Sequence, residues 1–411
     1  MSVRGENMER TNVIIGQSGG PTAAINATLS GVIRGALNIG AKKIYGMING
    51  IEGVLNGNIK DLTGLCTEEN LKLLENTPAA ALGSCRLKLP DITDEGTYKK
   101  IFAVFKEKNI KSVFYIGGND SMDSVKKLSA YAAAIGSGIK IIGVPKTIDN
   151  DLSGTDHSPG YGSAAKYIAA TMQEICHDNS IYNIKSIVIT EIMGRDAGWL
   201  TAAASLPRQI GGKSPDLVYL PEIVFSDEKF LADIESVLEE RKNIVAAVSE
   251  GVKYAGGRYV CDFDDRETDV FGHMNLSGTA NRLKNLAKER FGCKVRAIEL
   301  NTPQRCASHI ASLRDLKESV KIGREAVFAA AEGKTGVMMT FIRKKLQPYK
   351  IKIGCENINN ITNTIKTVPP QFINKARNGV TDECLMYILP LISGEPKLTY
   401  KNGIPKFFEI I

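Results

Sequence analysis

The stretch Lys140-Ile-Ile-Gly-Val-Pro-Lys-Thr-Ile-Asp-Asn-Asp-Leu152 decides the fold, because a hydrophobic run passes directly into a polar loop. Residues Lys140–Val144 are almost continuously apolar, which is typical of a parallel strand covered on both faces. The loop at 145–151 then brings a lysine, a threonine and two aspartates together. Since open parallel sheets bind ligands at the carboxyl ends of their strands, we expect chemistry in this loop.

The same alternation continues on both sides of this stretch. Val/Ile-rich runs of strand length are separated by longer stretches with helical periodicity, and this order predicts an α/β fold with largely parallel sheets. The last 80 or so residues, from about Gly333, have weaker periodicity and carry no firm assignment. The predicted strands are Asn12–Ile15, Lys43–Met47, Ser112–Ile116, Lys140–Val144, Ser186–Thr190, Leu217–Leu220, Ile244–Ser249 and Lys294–Leu300. The predicted helices are Ala23–Asn38, Ser121–Ala134, Ser163–His177, Asp227–Arg241, Ser277–Phe291 and Asp315–Ala331.

Two further strands end in paired glycines followed by a predicted helix. These are Ile14-Ile-Gly-Gln-Ser-Gly-Gly-Pro-Thr22 and Ile116-Gly-Gly-Asn-Asp-Ser121. Such a turn presents backbone N–H groups and the positive end of a helix to an anion, so both loops are candidate phosphate sites. A tight turn explains the glycines equally well, and a helix N-cap explains Asp120.

The loop at 145–151 supplies the groups that phosphoryl transfer requires. A carboxylate within reach of a hydroxyl serves as a general base, and Asp149 or Asp151 offers one. Lys146 offers the positive charge that the moving phosphoryl and leaving groups need. A turn built from Asp and Asn side chains remains the structural alternative.

Composition excludes several other classes. The net charge is +7 with no block of like charges, and aromatic residues make up only 7%, so we expect no nucleic-acid binding. The eight cysteines contain no C-x-x-C pair and are expected to be reduced thiols of a cytoplasmic protein. No apolar run approaches the roughly 20 residues needed to span a membrane.

Taken together and in this order, the motifs resemble those of the 6-phosphofructokinase family from about Val13 to Ala331. The resemblance implies two Rossmann-like three-layer lobes with mostly parallel sheets, an active site in the cleft between them, and an extra C-terminal segment. It implies phosphoryl transfer to the 1-hydroxyl of fructose 6-phosphate, with Mg²⁺, in a homodimer or homotetramer with shared active sites.

The family's functional residues map onto this sequence position by position. Asp149 matches the catalytic base, and Asn119 and Asp151 match residues near the metal. Arg296 matches an arginine that reaches into the neighbouring subunit's site. The expected donor-binding residues are Gly20, Arg86, Gly118, Asn119, Asp120 and Ser121. The expected sugar-phosphate-binding residues are Thr147, Ile148, Asp149, Met193, Gly194, Arg195, Glu222, Arg296 and Arg305.

Two positions bear on the phosphoryl donor. ATP-using members of the family have glycine where this chain has Asp120 and Lys146. A carboxylate at 120 places negative charge where an inner phosphate of a nucleotide would lie, and such like charges repel by several kcal/mol in a poorly solvated site. Lys146 adds a cation for a departing phosphate. Asp120 and Lys146 are therefore expected to act in catalysis with Asp149, and to select pyrophosphate.

The position before Asp120 departs from the family pattern. Asn119 stands where most relatives have an aspartate near the metal. Its amide oxygen is a ligand for Mg²⁺ but carries no charge.

We expect a donor-binding lobe at 1–150, a sugar-phosphate-binding lobe at 151–310, and C-terminal helices and an extension at 311–411 that pack back on the lobes. Three alternatives stay open on sequence alone: an ATP-dependent enzyme in which Asp120 only caps a helix, a catalytically silent regulatory subunit, and a different sugar phosphate such as sedoheptulose 7-phosphate as the acceptor.

Overall fold

A computed structural model describes residues 11–262, 276–361 and 364–410, and the strands within these ranges build two main sheets. All eight predicted strands are present, with ends that differ by at most two residues. Short strands and the C-terminal pair at 337–357 were not predicted. The strands of the described chain are β1 (Asn12–Gln17), β2 (Lys43–Met47), β3 (Ile59–Asp61), β4 (Ile110–Gly117), β5 (Lys140–Pro145), β6 (Ser186–Ile192), β7 (Leu217–Tyr219), β8 (Val224–Phe225), β9 (Asn243–Ser249), β10 (Lys253–Tyr254), β11 (Lys294–Glu299), β12 (Val337–Lys345), β13 (Lys350–Asn357), β14 (Tyr400–Lys401) and β15 (Ile404–Pro405).

The six predicted helices are also present, each within two residues of its expected ends. Several begin at a serine or threonine whose hydroxyl accepts a backbone N–H bond from the first turn, as Ser312 does from Asp315. The α-helices of the described residues are α1 (Ile25–Asn38), α2 (Gly50–Leu55), α3 (Glu68–Glu75), α4 (Glu95–Glu107), α5 (Asn119–Ala134), α6 (Tyr161–Asn179), α7 (Trp199–Ala203), α8 (Asp227–Glu240), α9 (Thr279–Phe291), α10 (Pro303–Cys306), α11 (Leu313–Ala331) and α12 (Asp382–Ile388).

The first sheet has seven strands in the order β13-β12-β5-β4-β1-β2-β3. Strands β12, β5, β4, β1 and β2 run parallel, and β13 and β3 are antiparallel edges. The chain leaves β1 in one direction to β2 and later returns on its other side as β4. The order of the strands therefore reverses between β1 and β4, where parallel sheets of this type bind ligands.

The second sheet has four parallel strands in the order β11-β6-β9-β7. Helices cover both faces of each sheet. In the first lobe α1, α3 and α11 lie on one face and α2, α4 and α5 on the other. In the second, α6, α7 and α12 lie on one face and α8 and α9 on the other. The predicted α/β class with two three-layer lobes is confirmed.

Residues beyond 311 take part in the first lobe. Helix α11 crosses α1 so closely that a Cβ at Gly31 would lie 2.1 Å from the Val320 carbonyl oxygen, and one at Gly323 would lie 2.3 Å from that of Thr28. Strand β12 then pairs with β5 through Val337. This edge of the sheet is therefore made by a part of the chain that is remote in sequence.

The described helices include none that is long and apolar enough to cross a membrane. No disulfide links the cysteines, all of which lie in the described ranges.

Candidate active site

A cavity of about 750 Å³ lies where the loops of the two sheets face each other; we call it the cleft. The first sheet contributes the loops that follow β1, β4 and β5, and the second contributes those that follow β6, β9 and β11. Among the described residues that line it, six side chains are basic and six are acidic. The basic ones are Arg86, Lys88, Lys127, Lys146, Arg195 and Arg305, and the acidic ones are Asp120, Asp123, Asp149, Asp151, Asp196 and Glu250.

The loop after β4 carries the start of α5 to the edge of the cleft. Gly117 is required there, because a Cβ would lie 1.9 Å from the Ser121 hydroxyl oxygen. The N-cap of the helix is Gly118, and no side chain caps it. Asp120 is the second residue of the helix and is exposed to the cleft. The alternative in which Asp120 is the N-cap of α5 is thus not what the structure shows.

Lys146 forms hydrogen bonds to two other loops of the first sheet. Its side chain is buried, with 2% of the residue exposed, and its Nζ donates a hydrogen bond to the Gly20 carbonyl. Its backbone N–H donates to the Gly117 carbonyl at 2.9 Å. Burial lowers the pKa of Lys146 to about 8, while the carboxylates of Asp149 and Asp151 oppose that shift. The Lys146 amine thus lies among the loops after β1, β4 and β5.

The turn at 149–151 holds two aspartates against the cleft. Asn150 lies between them in the left-handed conformation, with φ of 54°. Burial and, after it, the neighbouring Asp151 raise the pKa of Asp149 to about 7, although Lys146 and Arg195 act to lower it. Burial also raises the pKa of Asp151. A carboxyl group with a pKa near neutrality is well matched to general-base work at neutral pH.

Asn119 and Asp151 form the candidate metal-binding pair. The Asn119 Nδ2 group donates to Asp151 Oδ2 at 2.8 Å, and this contact brings the two side chains together across the loops after β4 and β5. Asn119 Oδ1 is buried and accepts no hydrogen bond. Mg²⁺ is usually held by one or two carboxylates together with water and substrate phosphates. One carboxylate and one unsatisfied amide oxygen fit that pattern.

The second sheet brings its own charged side chains to the cleft. Arg195 and Asp196 follow β6, and Arg305 lies in α10 after β11. Arg305 reaches towards the first lobe, with Nη1 3.8 Å from the position that a Cβ on Gly20 would occupy. Its Nε is buried without a hydrogen-bond partner. The two lobes therefore place Lys146 and Arg305 next to Gly20.

Glu250 was missed by the sequence analysis. It follows β9 directly and lines the cleft, and its Oε1 accepts a bond from the Gly194 N–H at 3.3 Å. Burial, followed by the nearby Asp149 carboxylate, raises the pKa of Glu250 to about 8. The signal was present in the sequence as Ser-Glu-Gly at the end of the predicted strand Ile244–Ser249.

Most of the predicted site residues lie together in the cleft, but three do not line it. Gly194 lies behind Met193 and Arg195, and its backbone has φ of 140°. Glu222 lies away from the cleft, where Oε1 accepts the N–H groups of Gly198 at 2.9 Å and of Val368 at 2.8 Å. Predicted residues that line the cleft are Gly20, Arg86, Gly118, Asn119, Asp120, Ser121, Lys146, Thr147, Ile148, Asp149, Asp151, Met193, Arg195 and Arg305.

Arg296 is the third predicted residue outside the cleft. It lies on the edge strand β11, and about half of its side chain is exposed. Its Nη1 is 3.7 Å from Asp178 Oδ2. Arg296 therefore does not line the cleft of its own chain.

Comparison with known proteins shows that the chain is similar to phosphofructokinases. The family model for phosphofructokinase matches residues 12–330. The chain is 37% identical to the pyrophosphate--fructose 6-phosphate 1-phosphotransferase of Halomonas elongata, and the match covers 97% of this chain and 96% of that protein. It is 38% identical to the enzyme of the same name from Xanthomonas campestris, with 98% and 97% covered. The crystal structure of a pyrophosphate-dependent phosphofructokinase from Nitrosospira multiformis superposes with a TM-score of 0.87 at 36% identity, with 97% of this chain and 96% of that one covered.

Proposed function

The chain belongs to the phosphofructokinase family, and on that premise we propose that it transfers a phosphoryl group from pyrophosphate to the 1-hydroxyl of fructose 6-phosphate. The products are fructose 1,6-bisphosphate and phosphate. The observation that carries the proposal is the grouping of Asp120, Lys146 and Asp149 at the ends of the neighbouring strands β4 and β5, facing one cleft. Relatives that share this chain's full length bear the name of that activity.

In the proposed reaction Asp149 takes the proton of the 1-hydroxyl as the oxygen attacks the terminal phosphorus of pyrophosphate. The bond from that phosphorus to the bridging oxygen breaks, and phosphate departs. Lys146 is buried next to the loop after β1 and stabilises the negative charge that develops on the departing phosphate. Asp151 and Asn119 would hold Mg²⁺, which would supply positive charge to the phosphate oxygens.

Loops from the two lobes divide the substrates. Arg86, Gly20 and the start of α5 bind pyrophosphate, since the N-terminus of a helix favours an anion. Arg195 and Arg305 bind the sugar phosphate, because a guanidinium forms forked contacts with phosphate oxygens. Glu250, rather than Glu222, accepts hydrogen bonds from sugar hydroxyls, since Glu250 lines the cleft and Glu222 is bonded to the backbone.

Asp120 is the residue that selects the donor. Its exposed carboxylate at the cleft repels the inner phosphate of a nucleotide but leaves room for pyrophosphate. The free energy of hydrolysis of pyrophosphate is closer to that of the sugar bisphosphate than the free energy of hydrolysis of ATP is. We therefore expect the reaction to run in both directions. A coupled assay with purified protein tests the proposal. Turnover with pyrophosphate and little with ATP is expected, and turnover with ATP alone would contradict it.

The proposal includes an oligomer in which Arg296 serves the partner's site. The exposed position of Arg296 on an edge strand, away from its own cleft, supports this arrangement. Mixing two inactive variants tests it, since hybrids of Asp149→Asn and Arg296→Ala subunits regain one intact site only if Arg296 acts in trans. Absence of recovered activity in verified hybrids would show that Arg296 does not serve the partner's site.

A further inference from the structure

Residues 364–368, which we call the cleft strap, lie between the loops of the two sheets. Thr364 and Ile365 line the cleft. On the side of the first sheet, the Lys366 N–H donates to the Asp151 carbonyl at 2.8 Å, and Ile365 forms a β-bridge with Leu152. A segment from the C-terminal part of the chain is thus bonded to the turn that carries Asp149 and Asp151.

The cleft strap is also bonded to the second lobe. The indole N–H of Trp199 donates to the Lys366 carbonyl at 2.9 Å, and the Val368 N–H donates to Glu222 at 2.8 Å. Glu222 therefore has an observed role as an anchor for the strap. The strap is held from both lobes, which fixes the position from which the Lys366 side chain extends.

The Lys366 ammonium makes a complete set of hydrogen bonds under the catalytic loop. Its Nζ lies 2.8 Å from the Asp156 carbonyl oxygen, 3.1 Å from Asn150 Oδ1 and 3.3 Å from the Thr155 carbonyl oxygen. A lysine ammonium has three donors and no acceptor, so each of its N–H groups has a partner. Burial lowers the pKa of Lys366 to about 7, while Asp156 and Asp151 act to keep it charged.

The hydrogen bond to Asn150 connects Lys366 to the turn that carries Asp149. Asn150 is fully buried, lies between Asp149 and Asp151, and has φ of 54°. A left-handed backbone is uncommon for a residue other than glycine and persists only where the surroundings hold it. Asn150 Oδ1 accepts from the Ser158 N–H at 3.1 Å as well as from Lys366. The direction of both aspartates depends on this one conformation.

The far end of the loop has separate anchors. Arg343 donates from Nε to Asp156 Oδ1 at 3.0 Å, and His157 Nε2 lies 2.8 Å from Glu318 Oε2. These contacts do not involve Lys366. Removal of the Lys366 ammonium takes a donor from the Thr155 and Asp156 carbonyls as well as from Asn150, but these separate anchors keep the loop attached to the first lobe.

We propose that Lys366 is a positioning residue for phosphoryl transfer, whose ammonium holds Asn150 in the left-handed conformation and so aims Asp149 at the substrate hydroxyl. The inference rests on the proposed function, in which Asp149 is the base. Lys366 touches no reacting atom in this role. Its contribution is to the geometry of the base, and a displacement of about 1 Å at such a group lowers turnover by up to about 10²-fold.

The test compares Lys366→Met with Lys375→Met, an exposed lysine in the same part of the chain. Methionine keeps the length of the side chain but removes the charge and the three donors. We expect kcat to fall by about 10- to 100-fold in Lys366→Met, with each KM within about threefold of the wild type, and no change in the control. A kcat within threefold of the wild type, or a loss that only follows the folded fraction in a thermal melt, would overturn the proposal.

Lys366→Arg keeps the inference testable if the methionine variant does not fold. Its guanidinium retains the charge but cannot direct three N–H groups from a single atom at the same three acceptors. We expect an intermediate kcat at unchanged KM, and wild-type kcat would contradict the role of the ammonium. The wild type's own donor preference tests the proposed function, whereas the ratio of variant to wild type, with whichever donor the wild type uses, tests Lys366.

Discussion

The loops at 117–121 and 145–151 follow neighbouring parallel strands, and Gly117 and Pro145 are paired in the register of β4 and β5. Both loops face the cleft, but their side chains are held differently. Asp120 in the first is exposed at the start of α5. Lys146 and Asn150 in the second are buried and hydrogen-bonded to the loops around them. The first loop presents a charge to ligands, and the second also holds the site together.

The exposed loop is therefore expected to govern which donor the cleft accepts, and the buried loop is expected to contribute to stability as well. A substitution at the exposed position 120 alters what the cleft accepts and leaves the packing of the first lobe intact. A substitution at a buried position in 145–151 alters the chemistry and the free energy of unfolding together, since buried polar groups lose their partners.

The largest effect is expected for Asp149→Asn. Asparagine keeps the shape of the side chain but cannot take the proton of the substrate hydroxyl, so kcat should fall by about 10²- to 10⁴-fold. The KM for fructose 6-phosphate should change little, because binding does not need the proton transfer. Steady-state kinetics measure both quantities. Asp61→Asn, which affects an exposed ion pair with Lys43 outside the cleft, is the control, and near-normal turnover in Asp149→Asn would remove Asp149 from the base role.

Lys146→Met should reduce both turnover and stability. We expect kcat with pyrophosphate to fall by about 10²- to 10³-fold, as for loss of one group that stabilises developing charge, with a smaller change in KM. The Gly20 carbonyl loses its partner, so the free energy of unfolding should fall by about 1–3 kcal/mol. Urea denaturation measures the second effect. Unchanged stability would mean that this loop is no more tightly integrated than the loop at 117–121.

Asp120→Gly should change donor preference by about tenfold in kcat/KM and leave stability nearly intact. Removal of the carboxylate should raise kcat/KM for ATP, since the repulsion towards an inner phosphate is lost. It should lower kcat/KM for pyrophosphate, since Asp120 is expected to act in catalysis with Asp149. The free energy of unfolding should fall by no more than about 1 kcal/mol, which is the usual effect of a glycine in a helix. Assays with both donors, alongside Asp120→Ala, separate the charge from the backbone effect. If ATP use does not improve, Asp120 does not select the donor.

The smallest effect is expected in the second lobe. Glu250→Gln should raise the KM for fructose 6-phosphate by about 3- to 10-fold, because a hydrogen bond of ordinary strength with a sugar hydroxyl contributes about 0.5–1.5 kcal/mol. Glu222→Gln should leave that KM unchanged and lower the melting temperature, since Glu222 anchors Val368 and Gly198. The reverse outcome would restore the sugar-binding role predicted for Glu222 from the sequence.

The sequence was a good guide wherever local pattern sets the structure. Continuous apolar runs predicted β4, β5 and β6, because strands buried on both faces cannot alternate with polar residues. The loops that follow these strands line the cleft. Strands β12 and β13 were not predicted, since β12 is placed by pairing with β5 far earlier in the chain. Their residues include Arg343, Lys344, Lys345, Lys350 and Lys352, which weaken the apolar pattern.

Side-chain roles were less predictable than strand positions. Glu222 and Glu250 both follow strands of the second sheet, and nothing in their immediate neighbours distinguishes them. Only the packing shows that Glu250 lines the cleft and that Glu222 is bonded to the backbone of Gly198 and Val368. A carboxylate's function depends on what lies across from it, and that partner is usually remote in sequence.

By itself, the sequence determined the alternation of strands and helices and the loops in which charged residues gather, because hydrophobic periodicity and glycine turns act over a few residues. The tertiary structure alone decided which of these loops meet. The bond from Lys366 to Asn150 joins residues 216 positions apart, and no local pattern encodes such a contact. It forms because both lobes hold the cleft strap in place, and burial then requires an acceptor for each donor of the ammonium.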